Sequence, residues 1–140
     1  MAVSKVPLTV VIDTNFIAVP AQFNIDIFSE AERILERKLE FVVISTALEE
    51  IERKLSNPKN KTEARHFKVA KALIDRCKVV GPEGLISEAS VDDQILAYAK
   101  ENNGVLATND RELKKKARDS GVPVLMLRGK KQLALHGNVL

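Results

Sequence analysis

The residues of this 140-residue sequence whose types and spacing could do chemistry are carboxylates. Asp13 directly follows the run Leu8-Thr9-Val10-Val11-Ile12, and Glu49, Glu50 and Glu52 come after Phe41-Val42-Val43-Ile44. Asp92 and Asp93 follow Ser90, and Asp110 comes shortly after Val105-Leu106-Ala107. No histidine or cysteine stands near any of them in sequence. An acidic set of this kind suits a hard, oxygen-liganded cation such as Mg2+ or Mn2+ and disfavours zinc. His66 and His136 are isolated and read as exposed or capping residues. The lone cysteine, Cys77, excludes an internal disulfide and a multi-cysteine metal site.

Structural duties must be subtracted first, because helix N-termini favour acids through capping and the helix dipole. Thr46-x-x-Glu49 and Ser90-x-x-Asp93 both fit a capping box, which accounts for Glu49 and Asp93 and leaves Glu50 and Asp92. Asp92 has Ile95, Leu96 and Ala99 at helical spacing, so its carboxylate falls on an apolar stripe. A carboxylate held there must be paired, protonated or bound to a cation, since desolvating a bare charge is costly. For Asp110, capping its own helix and serving a site are both open. Asp13 ends a β-rich run and begins no helix, which favours a functional role. The helical wheel of Leu48, Ile51 and Leu55 does not select Glu50, and places Glu52 nearer the apolar stripe.

The elements that must position these acids alternate along the chain. Strands are expected at residues 8–12, 41–44, 105–107 and 124–127, with a short extended piece at 78–80. Helices are expected from Ile25 to Leu39, from Ser45 or Thr46 to about Leu55, from Thr62 to Cys77, from Val91 to about Asn102, and around Leu113 and Ala117. Asn103-Gly104 reads as a helix C-terminal cap, and residues 81–90 as a loop. Continuous apolar strands alternating with helices predict an α/β fold, a three-layer α/β/α sandwich around a central parallel sheet, built as one domain over residues 1–140. Ligands of such sheets bind beyond the carboxyl ends of the strands, where three of the acidic positions fall.

Charge is sorted rather than spread. The total is +3, yet residues 53–78 hold nine basic against two acidic side chains, a net of +7, and residues 111–131 hold eight against two, a net of +6. Arg111, Lys114, Lys115 and Arg118 share a face of the helix that starts at Asp110. These blocks read as a phosphate track, whereas aromatic residues at 4% give little support for base stacking. No Gly-x-Gly-x-x-Gly, Walker-type or Gly-x-Ser-x-Gly motif occurs, so the fingerprints of dinucleotide binding, NTP hydrolysis and serine hydrolysis are missing. The first residues are too brief and wrongly flanked for a signal peptide and no run approaches a membrane span, so the expected location is the cytoplasm.

Four segments in this order resemble the PIN domain family: Val11-Ile12-Asp13-Thr14-Asn15, Glu50-Ile51 after a strand, Asp92 to Ala99, and Leu106-Ala107-Thr108-Asn109-Asp110-Arg111-Glu112-Leu113. The likeness covers nearly the whole chain and extends to single-domain VapC-type toxins and to PIN proteins of ribosomal RNA processing. It implies that Asp13, Glu50, Asp92 and Asp110 are catalytic and hold one or two divalent cations, with Asp93 assisting. It also implies that Thr14, Asn15, Thr108 and Asn109 orient the acids. The family's Glu followed by an aliphatic residue selects Glu50. The implied activity is a metal-dependent endoribonuclease acting on single-stranded or structured RNA, with Arg111, Lys114, Lys115 and Arg118 as RNA contacts. The other implied reading is a silent PIN module that binds RNA or protein in ribosome assembly. A homodimer and an antitoxin or ribosome-assembly partner are the expected associations.

Overall fold

The computed structural model describes residues 6–81 and 90–139. Among the described residues six strands form one sheet in the order β3-β2-β1-β4-β5-β6. β1 (Leu8–Ile12) lies centrally, flanked in parallel by β2 (Leu39–Ile44) and β4 (Val105–Ala107). β3 (Lys78–Val80) extends one side and β5 (Val124–Arg128) the other, both parallel. β6 (Gln132–His136) closes the far edge antiparallel to β5. The chain runs from β1 to a neighbour on each side, so the strand order reverses at β1. The crevice of an open α/β sheet lies at such a reversal.

Alternation along β1 decides which helices cover which face. Val10 and Ile12 pack with α1 (Val19–Phe23), α2 (Ile27–Leu35), α3 (Ser45–Ser56) and α4 (Lys61–Ile74), through Val19, Phe28, Ile51 and Ala70. Val11 points the other way, with Leu106, into Ile95 and Ala99 of α5 (Val91–Glu101) and Leu113 and Ala117 of α6 (Arg111–Asp119). The result is the α/β/α sandwich with a mostly parallel sheet that the strand pattern implies.

Several local expectations are corrected. The helix expected from Ile25 to Leu39 is shorter: Asp26 caps it through Phe28 N and Ser29 N, and Glu36 ends it at φ 49°. Leu39 belongs to β2, opposite Leu8. An apolar residue four beyond Leu35 satisfies the helical period and the strand equally. Residues 16–23, assigned no element, form a 3-10 turn (Phe16–Ala18) and α1. β6 was not anticipated, although Leu133 and Leu135 alternate as a one-sided edge strand should. Thr46 does not cap α3, which begins at Ser45 with no side-chain cap; its hydroxyl donates to Gln94 Oε1 (2.7 Å) on α5. Ser90 does cap α5, accepting from Asp93 N at 3.1 Å. The loop expected at 81–90 lies, apart from its two ends, outside the described residues.

At the α5–β4 turn the left-handed residue is Asn103 (φ 50°), not Gly104. Gly104 answers a packing demand, since a Cβ there would stand 2.6 Å from the Thr9 carbonyl oxygen of β1. Gly104→Ala should therefore push β4 from β1 and cost about 1–3 kcal/mol, as overpacking does. Chemical denaturation would read this as a lower midpoint at unchanged slope.

Candidate active site

Asp13 leaves the end of β1, and its N–H donates to Ala107 O (2.9 Å), extending the β1–β4 ladder by one step. Its side chain is buried, at 6% exposure. Asp13 Oδ2 accepts from the Thr108 hydroxyl at 2.7 Å, and the carboxylate also takes the Thr14 backbone N–H. Thr108 is fully buried just past β4 and works in both directions: its Oγ1 also accepts from Asp110 N at 3.0 Å. One hydroxyl thus ties the acid after β1 to the turn carrying the acid after β4. Asp110 itself caps α6, Oδ1 accepting from Leu113 N at 2.8 Å. Capping is a real duty of Asp110.

Burial raises the Asp13 carboxyl above its ordinary value, and repulsion from Asp92 and Asp110 adds to this. The Thr108 hydroxyl and Thr14 N–H oppose both. Asp92, half-buried in the first turn of α5, is raised by burial and then by Asp110, with Lys116 opposing and Glu50 and Asp93 adding. Asp13 therefore stands in the field of Asp92 and Asp110, and Asp92 in that of Asp110, Glu50 and Asp93. Glu50 is half-buried while Glu49 and Glu52 are exposed, so the wheel that placed Glu52 nearer the apolar stripe is corrected. Asp93 is exposed and bridges Lys116 at 3.5 Å; its carboxyl lies below its ordinary value through the Ser90 side chain and then Lys116.

A cleft of about 570 Å³ opens at this end of the sheet, lined by Asp13 and Asp110 together with Asn15, Lys54, His66 and Phe67. Asp92 and Glu50 do not line it. Nor do any three His, Cys, Asp or Glu side chains among the described residues converge closely enough to hold an ion. The four acids do not close into a ligand shell. Two features nevertheless fit a hard cation. All the candidate donors are carboxylate oxygens, with those of Asp13 and Asp92 held above their ordinary values by burial and by neighbouring carboxylates, and the buried Thr14 hydroxyl beside Asp13 has no hydrogen-bond partner.

The supporting residues divide. Thr108 orients Asp13 directly, whereas Asn109 accepts from Leu127 N (2.7 Å) and anchors the turn to β5, touching no acid. Asn15 Oδ1 accepts from Lys54 Nζ at 3.5 Å. Arg111, Lys114, Lys115 and Arg118 line a second groove, of about 960 Å³, floored by Val122, Pro123, Val124 and Met126. It adjoins the acidic cleft at the Asp110-Arg111 step, so these cations flank the cleft without lining it. Sequence reasoning missed Lys54 and Phe67 and dismissed His66. The signal within reach was Lys54 at i+4 from Glu50; the approach of α4 carrying His66 and Phe67 left none.

Comparison with known proteins gives the same architecture. The family described as PIN like domain matches residues 10–130. Ribonuclease VapC4 of Methanocaldococcus jannaschii is 38% identical over 132 residues, 93% of this chain and 98% of that protein. The PIN domain endonuclease Utp24 superposes with TM-score 0.76 at 23% identity, covering 95% of this chain and 94% of the other. A chain of VapBC2 from Rickettsia felis, solved bound to a promoter DNA fragment, gives 0.59 at 16% identity over 86% and 100%. At these identities the two structures speak for the fold alone. The family match over most of the chain and the relative covered nearly end to end show that this chain belongs to the PIN-like domain family.

Proposed function

We propose that the chain is an endoribonuclease that hydrolyses RNA phosphodiester bonds with Mg2+ or Mn2+. The observation that carries this reading is Asp13, buried at the β1–β4 reversal, bonded to Thr108 and in the field of Asp92 and Asp110. Support also comes from the 38% identical relative, whose name is that of a ribonuclease. Asp13, Glu50, Asp92 and Asp110 would hold the cation, which when bound supplies Lewis acidity and an activated water for in-line attack.

The chain's own residues do the rest. Thr108 and the Thr14 N–H oppose the upward pull of burial on the Asp13 carboxyl, and the Thr108–Asp110 N bond holds the second acid in register with the first. Arg111, Lys114, Lys115 and Arg118 would carry the RNA backbone past the cleft by charge alone, which requires no aromatic platform.

The test is cleavage of an end-labelled single-stranded RNA by purified protein with Mn2+ or Mg2+ and with chelator. Cleavage should need the metal and fall about a hundredfold or more in Asp92→Asn, the loss typical of removing one electrostatic group from a site. Cutting that persists in chelator, or at full rate in the variant, would sink the proposal. A second reading, a PIN module that binds RNA or protein without cutting, is favoured by one observation: no three ligand-type side chains converge among the described residues. RNA binding with no cleavage under any divalent metal would select it.

A further inference from the structure

Among the described residues that line the acidic cleft, Lys54 is the one lysine or arginine. It projects from α3 one turn after Glu50, and its ammonium lies 3.6 Å from Glu50 Oε1. The same nitrogen stands 3.5 Å from Asn15 Oδ1 and 5.0 Å from the centre of the Phe67 ring. An ordinary surface pair four residues apart needs only the first of these and contributes about 0.3–0.5 kcal/mol. The other two come from the turn after β1 and from α4. Tertiary folding, not helix spacing, therefore places this charge.

That placement has a cost and a use. A lysine side chain carries about 2 kcal/mol of rotamer entropy, part of which is given up when three neighbours hold its head. What it provides is an ammonium held beforehand at the wall of a cleft whose lining also carries the carboxylates of Asp13, Glu63 and Asp110. A phosphodiester carries a negative charge and would be repelled by such a lining. A fixed cation offsets the repulsion without reorganising when the substrate arrives. The basic residues of α6 cannot serve here, because they face the second groove.

We infer that Lys54 is a substrate-binding residue, its ammonium taking a non-bridging oxygen of a single-stranded RNA phosphodiester in the cleft while Asn15 and Phe67 keep it aimed. The inference rests on the nuclease reading for its substrate, but its test does not depend on cutting. A fluorescein-labelled single-stranded RNA is titrated in chelator and followed by anisotropy, with wild type, Lys54→Met, Lys54→Arg and, as a control that also removes one charge, Lys38→Met, exposed before β2 and outside both basic blocks.

Met keeps the alkyl stem over Phe67. Lys54→Met should weaken binding about tenfold and flatten the slope of log affinity against log salt by about 0.7, the share of one single-strand phosphate contact. Lys54→Arg should recover most of both, and Lys38→Met should stay within about twofold of wild type. With Mn2+ present, Lys54→Met should raise KM more than it lowers kcat. Should Lys54→Met unfold, Lys54→Gln takes its place in the same titration. Wild-type affinity in Lys54→Met, or a loss no larger than that of Lys38→Met, overturns the inference. Failure of the nuclease reading would look different: wild type would bind RNA and not cut it, and the titration would still decide on Lys54.

Discussion

Asp13→Asn should reduce RNA cleavage about a thousandfold or more, a loss of the size seen when a site loses a charge it was built around. It should also make the metal-free protein more resistant to heat. The two outcomes share one cause. Asp13 is buried and faces Asp92 and Asp110, so its carboxyl is held above the ordinary value. A carboxyl with a raised folded pKa contributes stability that is fully present below its unfolded value, near 3.8 here, and is lost as pH rises through the folded value. At neutral pH a carboxyl held above its ordinary value in this way is therefore a net burden on the fold.

Asn removes that burden while its amide oxygen can still accept from Thr108. At this chain length each kcal/mol relieved raises Tm by roughly 3–6 °C. The expected record is a Tm of Asp13→Asn above wild type at pH 7 in chelator, with the gap closing as pH falls toward 4. Divalent metal should raise the wild-type Tm and leave the variant nearly unmoved. A variant that melts below wild type at pH 7, or cuts RNA at the wild-type rate, contradicts this account of Asp13.

Thr108→Val should damage the same centre from the other side. Val matches Thr in shape, so packing is retained and only the hydroxyl goes. With it go the 2.7 Å donor to Asp13 Oδ2 and the 3.0 Å acceptor for Asp110 N, both at a residue with no exposure. Hydrogen bonds to charged groups contribute about 1.5–3 kcal/mol, and the Asp110 N–H left without its acceptor adds to the loss. A fall of roughly 5–15 °C in Tm at pH 7 is expected at this size.

Because the hydroxyl is the leading influence that lowers the Asp13 carboxyl, its loss moves that carboxyl further up. The acid limb of the cleavage rate should shift to higher pH, with kcat/KM down about ten- to a hundredfold at pH 7. Thr108→Ser restores the oxygen and should restore the pH profile even if it leaves a small cavity. Identical profiles for the Val and Ser variants would show that Thr108 acts by packing alone.

The candidate site was legible where a local pattern ends abruptly. A five-residue β-rich run stops at Asp13, and three apolar residues stop just before Thr108-Asn109-Asp110, so both strand ends were visible in the chain. Asp110 showed its limits, because capping and a place on the cleft were both open; the structure has it doing both. Thr46 misled for a different reason. Its capping-box spacing was correct, but Gln94 on another helix offered its hydroxyl a tertiary partner. Glu50 against Glu52 could not be settled from α3 alone, since a wheel describes one helix and their burial depends on what packs beside it.

By itself the sequence determined the alternation of strands and helices, the two faces of the sheet and the positions after β1 and β4 where acids would be presented. All of these follow from patterns a few residues long. Only the tertiary structure decided which groups meet. The Asp13–Thr108 bond spans 95 residues and exists because β1 pairs with β4 in one register. Lys54 reaches the cleft because α4 brings Phe67 beneath it, while the more numerous cations of α6 turn to another groove. Hydrophobic period is a local property of the chain, but the field at a carboxylate is set by every charge the fold brings near it.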